Sequence, residues 1–556
     1  MILFIFIIQI SLALVPGNYY FTESDRDERN SGLPSNSVID IETIRGFNSD
    51  YIFLTSSSGL GYSYESGGNF VFRELESDFL PEGGNPAMTI KDNVIAVSGS
   101  VTVLDAGSYY PAGTGVSYSL NYGSTWQYMP QPVDDIPTLW SCSNYEYNSL
   151  FFNSRSECEQ SCTGCNGQSA SCSRIYDFIN WGNQSDIVHL SVTTPINNVS
   201  YDIAIHGDYI YSTSWAGGLR RFDYTLINPV WEVVPLPMDN QDELLCNAID
   251  IDSYEINPVG DCDSEGDNHK AFSVFGINDT LWVGTAGGIN KGIVDNDCID
   301  WTHLESYDYG FYDDWIIDFE YQTLDNETYD RIWAITWDKD TQGTLGPPSF
   351  SNDGGQTWDY PNQLVEMEVK SYNISFNGDD IYLATNQGLF LSRDTQTWER
   401  FNDISDYQDG EQILSEIVYD SKVIDGKLWV GTQDGVGVSS NPLNPDWLVY
   451  RFWEKNNSFD VYPNPFLRDD YNVLNGDGHV RFIYSSQNVQ SSVDIFDFSM
   501  DKVATLTSPN LIDDQIEFIW NGENEYGSKV KNGVYFCRIN DNGQYSWAKL
   551  AVLGSL

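Results

Sequence analysis

The chain has 556 residues, with 81 acidic against 27 basic side chains and a net charge of −54 at neutral pH. A phosphate backbone needs a basic footprint, so a general nucleic-acid binder is excluded. Hydrophobic residues are 41% and aromatic residues 14%, enough to bury a core, which excludes an acidic disordered tail as the whole molecule.

Residues 1–13 form a short apolar run with Ser11 and Ala13 at the spacing a signal peptidase favours, and read as a signal peptide. No later stretch reaches the ~20 apolar residues of a transmembrane helix, so no membrane span is expected in the mature protein. The expected location is secreted or at the cell surface. That oxidising setting favours disulfides among the nine cysteines.

Over residues 17–456 one unit recurs seven times, a period that points to a propeller. Each copy has a short alternating run, a turn such as Asn377-Gly378-Asp379, then a β-rich run ending at Thr55, Val97, Thr213, Thr285, Thr336, Thr385 or Thr432. Closing aromatics follow at Phe70, Trp126, Trp231, Trp301, Trp358, Trp398 and Trp447. Each copy supplies about four short strands and a wedge, and a lone four-stranded sheet exposes the faces that radial stacking buries. The fold class is therefore all-β, a seven-bladed β-propeller.

Two intervals between copies are long, with insertions at about 132–195 and 236–270. Both leave the ring at the same topological connection on adjacent blades. The first carries Cys142, Cys158, Cys162, Cys165 and Cys172. The spacing of Cys158, Cys162 and Cys165 copies an iron–sulfur site and four thiolates can hold zinc, but disulfides that staple a loop with little core are the expected use. Cys246 with Cys262 is expected to form a separate bridge, while Cys298 and Cys537 have no obvious partner. In the second insertion, Asp261, Asp263, Glu265 and Asp267 alternate around Gly266. Such a loop can wrap calcium, although Phe272 stands where the closing Glu belongs; the competing reading is a solvated acidic loop. The next connection holds Tyr309, Tyr312, Asp313, Asp314 and Trp315, a mixture of rings and carboxylates that suits a sugar or blade-edge packing equally.

Ser351, Asp353, Gly355, Thr357 and Trp358 match the Asp-box S-x-D-x-G-x-T-W at every defined position. Ser119, Asn121, Gly123, Thr125 and Trp126 match it with Asn for Asp, and the stretch from Ser392 to Trp398 is one residue short. These turns resemble the Asp-box (BNR) repeats of sialidase-like propellers, in which the box is a structural turn away from the active centre; the resemblance implies fold and not activity. The runs LWVGTAGGI and LWVGTQDGV are similar to repeats of sensor propellers attached to two-component regulators. In propellers of these kinds the connection carrying both insertions emerges on the face where ligands dock.

After Trp453 the pattern changes to short strands of a β-sandwich over 458–556. Val461-Tyr462-Pro463-Asn464-Pro465-Phe466, then Trp520, Gly522, Asn524 and Gly527, then Asn532-Gly533-Val534-Tyr535-Phe536, resemble the Ig-like C-terminal sorting domain of the type IX secretion system and the related domain of flagellar hook-capping proteins. The resemblance implies export through the type IX secretion machinery.

A sialidase-like site needs an arginine cluster, and the fifteen arginines show no such motif. No metalloprotease, serine-hydrolase or P-loop motif is present. The expectation is a binding or display module for a glycan or a protein ligand. The alternative is a glycoside hydrolase using loop carboxylates, with Asp313 and Asp314 as candidates. No cofactor is assigned beyond calcium.

Overall fold

The computed structural model describes residues 32–554 apart from 46–49, 67–68, 144–151, 162–170, 175, 261–264, 325–329, 408–410, 453–458, 470–471 and 513–514. The signal peptide, Cys162, Cys165, Cys262, Asp261 and Asp263 lie outside the described residues.

Seven antiparallel sheets follow one another along the chain. Their innermost strands are Val38–Arg45, Met88–Lys91, Asp202–His206, Ala271–Ile277, Trp315–Gln322, Ser371–Asn377 and Val418–Ile424, which define blades 1 to 7. Each innermost strand packs on the next, and that of blade 7 packs on that of blade 1, so the ring is closed. Four blades have four strands and the connection order inner to outer; blade 2 shares this plan with a long middle hairpin, Val94–Asp105 and Ser108–Ser119. Blade 4 gains an outer fifth strand, Glu243–Leu244. Blade 5 has three strands, its outer edge reduced to a bridge between Phe350 and Asp359.

The repeated residues explain themselves in this frame. Thr285, Thr385 and Thr432 begin the turn between the second and third strands, and each hydroxyl donates to the carbonyl of Gly288, Gly388 or Gly435 at 2.7–3.0 Å. Those glycines have φ of 106–125°, a left-handed conformation that side chains resist. The closing aromatics wedge between blades. Trp358 of blade 5 meets Trp282 of blade 4 at 6.2 Å, Trp398 of blade 6 meets Trp333 of blade 5 at 6.5 Å, and Phe70 of blade 1 meets Trp429 of blade 7 at 4.6 Å. The last contact seals the ring between its two ends. Asn36 adds to the seal, its side-chain amide donating to the Phe452 carbonyl at 2.9 Å.

Side-chain hydrogen bonds close the turns at Ser351, Ser119 and Ser392. Asp353 Oδ1 accepts the amides of Gln356 and Thr357 at 2.9 Å, Oδ2 accepts the Thr357 hydroxyl at 2.7 Å, and Ser351 Oγ accepts the Gly355 amide at 2.8 Å. Asn121 and Ser119 repeat the pattern towards Thr125 and Gly123, and Trp126 Nε1 donates to the Gly123 carbonyl. The shortened copy keeps it with Thr395 at φ 68° in the left-handed position. All three turns join third to fourth strands, at the end of the blades opposite the connections that carry the insertions.

The two insertions meet: Gln184–Leu190 of the first pairs in parallel with Glu255–Ile256 of the second. Disulfides tie them down. Cys158 is bonded to Cys172, and Cys142 is also in a disulfide; the three sulfurs lie within 4.8 Å of one another, but the bonding leaves no thiolate on them for zinc or iron. The expected Cys246–Cys262 bridge is corrected: Cys246 is bonded to Cys298, in the fourth strand of blade 4. The strand Glu243–Leu244 pairs with that fourth strand, bringing Cys246 beside it, a neighbour that sequence spacing alone does not show. Cys537 is a buried free thiol.

Residues from Phe459 form a β-sandwich of a four-stranded and a five-stranded sheet around Phe466, Phe482, Phe518 and Trp520. It docks on blade 7 through buried ions. Arg481 of the sandwich bonds Asp434 of the blade 7 turn at 2.6 Å and Glu517 at 2.8 Å, and Arg451 reaches Asp434, Glu411 and Glu517 at 2.9–3.3 Å.

Candidate functional site

Five innermost strands carry a β-bulge near their start, shown by register shifts at Val38/Asp40, Ala271/Ser273, Ile316/Asp318, Ser371/Asn373 and Val418/Asp420. A bulge re-aims the extra residue. Here the five extra residues, Ile39, Phe272, Ile317, Tyr372 and Tyr419, all line a cavity of about 600 Å³ in the central channel. Tyr201, Trp337 and Lys370 complete its aromatic mouth. The mouth lies where inner strands begin, the end from which both insertions also leave. The insertions themselves contribute none of the lining residues.

Directly past the bulges comes a polar layer. Asp420 Oδ2 accepts the Ile41 amide at 2.6 Å, Asp40 Oδ2 accepts the Met88 amide at 3.2 Å, and Asp202 Oδ2 accepts the Val274 amide at 2.7 Å. Each bond runs from one blade to the next, so these carboxylates stitch the ring. Two positions on, and therefore on the same strand face, stand Glu42, Glu320 and Lys422, with Lys422 Nζ donating to Glu42. Burial raises the carboxyl of Glu320 to about 8, Asp202 to about 7 and Asp420 to about 6, and burial followed by neighbouring carboxylates pushes Asp40 and Asp318 well up. Lys422, amid these acids, is held charged.

Lys370 is different. Its Nζ sits 3.6 Å from the centre of the Trp337 ring and 5.7 Å from that of Tyr372. Burial alone lowers its amine to about 8, with no carboxylate offsetting it.

The five residues from the connection before blade 5 are divided by the fold. Trp315 is buried in the core with Phe272, and Tyr309 packs beside Trp358 and Phe311. Asp314 Oδ1 accepts the Ser306 amide at 2.7 Å and Asp313 Oδ1 accepts the Asp314 amide at 2.7 Å. Burial raises Asp313 to about 6. Tyr312 donates to Asp338 at 3.3 Å and meets Tyr360 edge-on at 5.3 Å. In the acidic loop, Asp267 is held by Lys339 and Lys270, each at 2.5 Å, and Glu265 by Lys339 at 3.3 Å. Asp267 thus has two ammonium partners.

The channel residues were missed by motif reading because no motif contains them. A signal is present: an acid or amide recurs near the start of inner strands, at Asp40, Asp318, Asn373 and Asp420.

No protein family and no curated protein matches the chain. Solved structures do. PorZ, described as a surface component of the type-IX secretion system of Porphyromonas gingivalis, is similar at 14% identity over 93% of this chain and 75% of its own, with a TM-score of 0.27. YCF48 from Cyanidioschyzon merolae is similar at 12% identity over 74% of this chain and 98% of its own, with a TM-score of 0.38. The WD40 β-propeller domain of Doa1 gives 8% identity, coverage of 76% and 98%, and a TM-score of 0.31. These scores are too low to carry function across, and the propeller stands on its own seven sheets.

Proposed function

We propose that the chain is a secreted or cell-surface binding propeller that takes a glycan at the mouth of its central channel. The observation that carries this reading is the cavity of about 600 Å³, ringed by Tyr201, Phe272, Trp337, Tyr372 and Tyr419 and floored by polar groups. Ring faces beside hydrogen-bonding groups are what a sugar needs, an apolar face to stack and hydroxyls to satisfy. Export by the leader and by the type IX machinery through the C-terminal sandwich rests on the sequence resemblances, as does the reading of the Ser351 and Ser119 turns as Asp-boxes. A glycoside hydrolase is the second reading, favoured by one observation: Asp313 is raised to about 6, as suits a general acid.

The test is a polysaccharide panel offered to the purified chain, scored for binding and for reducing-end release. Binding without release, lost in Tyr372→Ala, is the expected result. Release that disappears in Asp313→Asn makes the protein a hydrolase, and neither binding nor release overturns both readings.

A further inference from the structure

The mouth and the floor of the channel differ in chemistry. The floor is built of carboxylates that already serve backbone amides or Lys422. The mouth offers donors with nothing to donate to. Tyr201 is 9% exposed and lines the cavity, and its hydroxyl has no partner among the described residues. The Tyr372 hydroxyl and Lys370 Nζ likewise make no hydrogen bond among the described residues, Lys370 resting on the Trp337 face. In a chain of 81 acidic and 27 basic side chains, a half-buried ammonium that makes no ion pair among the described residues is an unfilled place for an anion, since burying a cation unpaired is costly.

Building on the glycan reading, we propose that this mouth selects an acidic sugar, a ring bearing a carboxylate, with the carboxylate on Lys370 and the Tyr201 and Tyr372 hydroxyls donating to it or to the ring oxygens. Trp337 and Phe272 then face the apolar side of the ring. The strong term is the charge-assisted bond, which an uncharged ring forgoes. The carboxylates of the floor do not forbid this: Asp420 and Asp202 accept backbone amides, Glu42 accepts from Lys422, and burial raises Glu320 to about 8, which leaves it mostly uncharged at neutral pH.

Calorimetric titration of the full chain with trigalacturonate and with its methyl ester separates the ideas, since the ester keeps the sugar rings and replaces each carboxylate charge by a methyl group. The acid is expected to bind at least about tenfold more tightly than the ester, the size of one charge-assisted hydrogen bond. Lys370→Met should erase that preference, and Lys370→Arg should keep it; a thermal melt confirms that each variant folds. Equal binding of acid and ester, or a preference that survives in Lys370→Met, overturns the acidic-sugar proposal while the glycan reading stands. Failure of both probes to bind overturns the proposal, and the outcome of the polysaccharide panel then decides the glycan reading separately.

Discussion

The channel carboxylates hold the blades together at a cost that depends on pH. Glu320 and Asp202, raised to about 8 and about 7, have folded values above their unfolded ones. Their stabilising contribution is therefore complete below about pH 4 and is lost as pH rises through 6 to 8. The protein should melt at a higher temperature at pH 5.5 than at pH 8.5, measured by differential scanning calorimetry. Glu320→Gln, which removes one charge, should raise the melting temperature at pH 8.5 by a few degrees and change it little at pH 5; an equal rise at both would remove the electrostatic cause. The recurrence of these acids is visible in the sequence, but their meeting in one channel is not. Asp40 and Asp420 are far apart in the chain, and only ring closure puts the Asp420 carboxylate on the Ile41 amide. Asp313 and Tyr309 show the converse: adjacent in sequence and attractive as a site, they are divided by the fold between a backbone cap and the core.

At the level of the element, sequence reading succeeded where the repeat states its own physics. A hydroxyl that closes a turn and a glycine that supplies positive φ recur together in blades 4, 6 and 7, so Thr285, Thr385 and Thr432 were legible as strand ends. The turn at Asp353 was legible for the same reason. Asp353→Ala removes the acceptor of the exposed Gln356 and Thr357 amides and should destabilise the propeller by about 0.5–1.5 kcal/mol, read from chemical denaturation. A loss below about 0.3 kcal/mol would mean that solvent replaces the carboxylate fully. The β-bulges were illegible, because one extra residue in a short strand leaves no periodic trace, and it is the bulges that put Phe272, Tyr372 and Tyr419 into the channel. The Cys246–Cys298 bond was missed because the strand at Glu243 pairs far from its sequence neighbours.

For the molecule as a whole, the sandwich is tied to the propeller by a buried network of Arg451, Arg481, Asp434, Glu411 and Glu517. Burial would raise the Asp434 carboxyl, but the two guanidinium groups overcome it and hold the group below its ordinary value. Breaking such a network by removing one partner costs about 3–5 kcal/mol. Arg481→Met should therefore uncouple the two domains, giving two calorimetric transitions where the parent gives one; a single unchanged transition would show that the network contributes nothing to docking. Among the described residues no helix is long and apolar enough to cross a membrane. The overall division, a propeller followed by a sandwich, was readable from the repeat period and from the change in strand pattern after Trp453, whereas the docking was not, since its charges come from segments with no shared motif. The central claim is that the ligand occupies the channel mouth. Hydrogen exchange with and without the tightest-binding polysaccharide tests it most directly: slowed exchange at residues 370–373 and 417–420 is predicted, and slowed exchange confined to the insertions at 132–195 and 236–270 would contradict it.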